Sequence, residues 1–137
     1  MFNFVKSLDG EVMQLESKQA AAGTYEVGMA LTISGGKLVK ATGNAVVHCV
    51  CAENADLTAD GMLTVFVVTP SMIFSVEITA FAEAVHTMGA RAQISSDGMA
   101  ITNVAAAEDS KSGAFIIDAL GAKAAGDTCM VRLDYYD

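Results

Sequence analysis

The sequence predicts a mainly β domain, a small barrel or sandwich of short strands with one short helix. Three observations lead there. Twelve glycines fall between short apolar runs, where turns between strands belong, while proline occurs once and tryptophan not at all. Phe74, Val76 and Ile78 alternate with Ser75, Glu77 and Thr79, the period of a strand with one buried face. Leu63 to Val68 is a nearly continuous apolar run rich in β-branched residues, which reads as a strand covered on both faces.

The elements follow in order. Met1 to Ala22 mixes charge with Phe2, Phe4, Val5, Val12, Met13 and Leu15. It reads either as an N-terminal arm or extended segment, or as the first strand of the domain. Residues 23–137 read as a single β-barrel domain. Within it, Val27 to Ser34 alternates small and apolar residues up to Gly35-Gly36, whose freedom at positive φ suits a tight hairpin turn. A second hairpin echoes the first: Met88 to Ser95, then Asp97-Gly98, then Met99-Ala100-Ile101. Two hairpins built alike could form opposite sides of a small barrel. Thr69-Pro70 should separate one strand from the next, because proline cannot donate to a ladder. Thr79 to Met88 places Phe81, Val85 and Met88 on one helical face, and this is the expected helix. Met130 to Tyr135 alternates as a last strand.

Composition excludes several functions. The chain has 137 residues, enough for one core without metal or disulfide staples, and its 53% apolar and 18% charged residues do not describe a disordered chain. Sixteen acidic residues against eight basic ones give a net charge of −8, which opposes direct binding to DNA or RNA. No run approaches the ~18 uncharged apolar residues of a membrane span. The first residues lack the basic-then-apolar pattern of a secretory signal, so the protein is expected to be made in the cytoplasm with its three cysteines reduced.

No constellation of residues names a reaction. His48, Cys49 and Cys51 come nearest to a metal cluster, yet zinc favours two converging Cys-x2-Cys knuckles. On a strand, Cys49 and Cys51 face one side and His48 the other. They read as small buried hydrophobes. His86 has no motif tying it as a base to Cys49, Cys51 or Cys129. A Cys49–Cys51 disulfide would strain an extended backbone. Ser34-Gly35-Gly36-Lys37 lacks the spacing of a phosphate loop and opens a strand rather than a helix. Asp9 with Glu11, Asp56 with Asp60, and Glu108 with Asp109 read as solvated loop carboxylates, since no neighbour separates an acid from a base. No catalytic residue, metal or cofactor is therefore expected.

One resemblance goes further. Gly28-x-Ala30-Leu31-x-Ile33, then Gly36-Lys37-Leu38-Val39-x-Ala41-Thr42, then Val46 to Ala52, resembles the small β-barrel decoration (cement) proteins of tailed phages. The stretch TVFVVTPSMIFSVEIT, residues 64–79, is similar to the same group, and the likeness spans most of residues 23–136. It implies a non-enzymatic virion protein on the capsid exterior, bound to the major capsid protein, commonly as a homotrimer, with no nucleic acid or membrane partner. Segments such as Met1 to Ala22 often lie as arms on the capsid lattice in such proteins, which makes Phe2, Phe4, Val5, Val12 and Leu15 the candidate capsid contacts. The rival reading is a β-barrel module of a head fibre or tail that binds a small ligand or carbohydrate. It would need a concave pocket with a few convergent polar groups.

Overall fold

A computed structural model describes residues 1–10, 12–80, 88–102, 115–119 and 121–133. The fold is all-β. No helix occurs among the described residues, and most of the expected helix over Thr79 to Met88 lies outside them.

Among the described residues thirteen strands fall into three sheets. A closed barrel has the order β2 (Leu15–Ala20), β5 (Lys37–Lys40), β4 (Ala30–Ser34), β6 (Cys49–Cys51) and β8 (Gly61–Val67). A six-stranded sheet has the order β1 (Asn3–Ser7), β9 (Met72–Glu77), β13 (Thr128–Leu133), β12 (Phe115–Ala119), β10 (Arg91–Ile94) and β11 (Ile101–Thr102). The third is a two-stranded ribbon of β3 (Gly23–Tyr25) and β7 (Ala55–Leu57). In chain order the molecule is nested. The chain makes β1 in the sheet, builds the barrel and ribbon from β2 to β8, and returns as β9 antiparallel to β1.

The barrel follows from side-chain alternation. Leu31, Leu38, Cys49, Cys51, Leu63 and Val65 point inward and share one buried cluster with Ala20, Tyr25 and Met29. Neighbours on the same strands point outward: Ala30 on β4 and Val50 on β6 join a second cluster with Phe74, Val76, Phe115, Ile117 and Val131 of the large sheet. The two cores therefore share strands, and β6 is buried on both faces. Each fully buried Leu or Phe contributes roughly 1.5–3 kcal/mol relative to exposure.

β8 departs from the expectation of cover on both faces. Leu63 and Val65 are buried in the barrel, whereas Thr64 and Phe66 on the outer face are half-buried and Met62 is exposed. A run of consecutive apolar residues does not say which side is covered. The alternation of Phe74, Val76 and Ile78 against Ser75, Glu77 and Thr79 is realised as drawn, and so is the break at Thr69-Pro70 between β8 and β9.

Gly35 and Gly36 form a two-residue hairpin loop between β4 and β5, with Ser34 opposite Lys37 and φ of 59° and 78°. Two successive positive φ values are the geometry of a type I′ turn. The second hairpin, β10–β11, belongs to the six-stranded sheet, so the two hairpins do not form opposite sides of one barrel. They meet instead at Gly98. Its carbonyl accepts from the Ala30 amide at 2.8 Å, and a Cβ there would lie 2.9 Å from Lys40 Cγ and 3.1 Å from Met29 Cγ. Gly98 lets the turn of one hairpin press on the root of the other.

Candidate functional site

Segment 1–22, read as an arm or a first strand, contributes one strand to each large sheet. β1 pairs with β9, and a bulge between Phe4 and Lys6 turns the edge strand. β2 pairs with β8 over six residues, Leu15 opposite Phe66 through Ala20 opposite Gly61. The five candidate contact residues separate accordingly. Phe2 is 2% exposed and stacks on Phe115 at 4.9 Å, so it is a core residue and unavailable to a partner in this fold. Phe4 is half-buried, edge-on to Phe74. Val5 is 43%, Val12 74% and Leu15 60% exposed. Period-2 alternation in a short segment could not show which of these side chains had a sheet waiting behind it.

Strand directions place these residues. Around the barrel β2, β5 and β6 run one way and β4 and β8 the other. One end therefore gathers the β1–β2 connection, the Gly35-Gly36 turn, the approach to β6 and the exit from β8. Five of the exposed apolar side chains, Leu8, Val12, Leu15, Ile33 and Val46, lie on the elements that meet at this end, while Val5, Val27 and Met62 are exposed elsewhere. Val12 also borders a groove of about 270 Å³ with Gln14, Glu16, Val67, Thr69 and Met72. Lys18 and Glu16 form an exposed ion pair of 2.9 Å there, and the carboxylate raises the lysine pKa by hydrogen bond and charge. Leu8, Ile33 and Val46 are not among the contacts expected from the sequence, because each sits near the end of a strand or in the loop before one, where the side chain's direction depends on closure of the barrel.

The opposite end carries the β3–β7 ribbon. Tyr25 plugs the barrel from it, donating its hydroxyl to Ala21 O at 2.6 Å and Leu38 O at 3.3 Å. Beside the ribbon lies an open cleft of about 690 Å³ lined by Met1, Thr24, Tyr25, Glu26, Val27, Asn54, Ala55, Asp56 and Met99. Asp60 pairs with Lys37 rather than with Asp56, and that ammonium holds its carboxyl below the usual range.

Cys49 and Cys51 face into the barrel as read, and Cys129 lies in the other core. All three thiols are free and buried. Burial pushes Cys49 and Cys129 up to about 11 and also raises Cys51. His48 does not share that interior, and its buried Nδ1 has no hydrogen-bond partner. Among the described residues no group of three His, Cys, Asp or Glu side chains could hold a metal, and no helix is long and apolar enough to cross a membrane. His86, Glu11, Glu108 and Asp109 lie outside the described residues.

These features define a class, an all-β chain in which a five-stranded barrel is nested in a six-stranded sheet. No family model matches the chain, and no curated protein is similar to it. Among solved structures its fold is similar to the head fibre gp8.5 N base of bacteriophage phi29. The TM-score is 0.56 at 13% identity, over 88% of this chain and 95% of that one. At that identity the likeness is one of fold.

Proposed function

We propose that this chain is a non-enzymatic structural protein of a phage head that binds the outer surface of the assembled shell and reinforces it as a decoration protein. The observation that carries the reading is the fold shared with a head fibre base over nearly the whole of both chains. The apolar barrel end supports it, because Leu8, Val12, Leu15, Ile33 and Val46 are exposed on elements that meet there, and grouped exposed aliphatic side chains suit a protein–protein contact. That end would meet the major capsid protein, with three copies around a threefold position. A charge of −8 suits a protein outside the shell, away from packed DNA. The same fold likeness favours a second reading, the base of a head fibre seated on the same surface.

The test adds purified protein to heads assembled without it, counts copies by cryo-electron microscopy and measures the temperature of DNA release. Many weak contacts on a repeating lattice bind strongly together, and binding favours the assembled state. Decoration at every equivalent position, in threes, with DNA released at a higher temperature, is the expected result. Occupancy of a sparse subset without a thermal effect would favour the fibre base. Absence of binding to any head would end both readings.

A further inference from the structure

The cleft at the ribbon end carries chemistry that the head-surface reading does not use. We propose that it is a docking site for an extended, basic peptide segment of another chain, with Lys or Arg side chains seated between Glu26 and Asp56. Alternation on the ribbon sets the arrangement. Thr24 stands opposite Asp56 and Tyr25 opposite Ala55, so Tyr25 turns into the barrel while Thr24, Glu26, Asn54 and Asp56 project from the other face. Thr24 donates to Asp56 Oδ1 at 3.2 Å, and Asn54 Oδ1 accepts the Val27 amide at 3.0 Å, which fixes both side chains in the cleft wall.

Two carboxylates thus face one cavity. Among the described residues no Lys or Arg lines it, and neither Glu26 nor Asp56 has an ion-pair partner. The other walls are Met1, Val27 and Met99, which are unbranched or aliphatic. A long side chain with an apolar stem and a cationic head matches both surfaces, its stem along the methionines and its head at the acids.

Other occupants fit less well. A bare divalent ion would need more converging oxygens than this open wall offers, and no group of three candidate ligands exists among the described residues. A sugar would want an exposed aromatic platform, but Tyr25 is 3% exposed and its hydroxyl is already bonded. The volume of about 690 Å³ exceeds one side chain and accommodates a short extended segment. Because the cleft lies at the barrel end opposite Leu8, Val12, Leu15 and Val46, both surfaces could be occupied together.

The experiment titrates the full chain with acetyl-Lys-Val-Arg-Val-Lys-amide by calorimetry. A neutral counterpart has norleucine for each lysine and citrulline for arginine. Binding of the basic peptide, weakened about ten-fold by Glu26→Gln with Asp56→Asn and by added salt, is the expected result. The variant glutamine and asparagine keep an oxygen acceptor, and unchanged melting confirms the fold. Glu77→Gln, an exposed acid on β9 away from the cleft, should leave binding intact. No binding of the basic peptide at millimolar concentration would overturn the proposal. So would equal binding of the neutral peptide, or an equal loss in Glu77→Gln, which would reduce the effect to net charge.

Discussion

Cys49 illustrates how a residue's chemistry is set by what surrounds it. Its thiol sits in the barrel with Leu31 and Leu63, and burial raises its pKa to about 11, as it does for Cys129 in the neighbouring core. An ordinary exposed thiol titrates at 9.0. The folded state therefore holds these protons more tightly, so their contribution to stability is complete below the unfolded value. It is lost as pH rises through about 9 toward 11. The melting temperature should fall over that window, and a Cys49→Ala, Cys129→Ala variant should show a shallower fall although it starts lower. A thiol reagent at pH 8 should label none of the three cysteines until denaturant is added. Rapid labelling in the native state, or an alkaline fall unchanged in the variant, would contradict this account.

At the scale of elements, β2 decides what the N-terminal segment is for. Six paired residues join it to β8, and the parallel pairing of Ala20 with Leu38 closes the barrel against β5. Removing Met1 to Ala22 should therefore open the barrel, expose Leu63 and Val65, and abolish cooperative thermal unfolding in circular dichroism. A truncated chain that still melts cooperatively near the full-length temperature would show that β2 is dispensable. The sequence made the hairpins, the Pro70 break and the inward face of β6 legible, because each is written in local alternation or turn chemistry. Pairing between distant strands is not local. Nothing in residues 15–20, LESKQA, announces a barrel stave: only Ala20 is fully buried, and the remaining five are polar or exposed. The cleft was equally hidden. Glu26 and Asn54 are ordinary loop residues until the β3–β7 pairing brings them to one face.

For the whole molecule, the nesting of the barrel inside the sheet has a consequence for how the chain folds. β1 cannot pair with β9 until Ser7 meets Met72, and closing a free loop of that length costs about 3–4 kcal/mol of chain entropy. Once the barrel exists, Leu15 and Phe66 are already neighbours, and only the two short connections remain to be ordered. The barrel should form first and act as the template on which β1 and β9 find each other. In pulsed hydrogen exchange during refolding, amides of Lys18 and Leu63 should gain protection before those of Asn3 and Ser75. The reverse order would mean that the sheet nucleates alone. With the barrel first, the last contact to form is the stacking of Phe2 on Phe115, so an incompletely folded chain would be one with a finished barrel and an unlatched N-terminus.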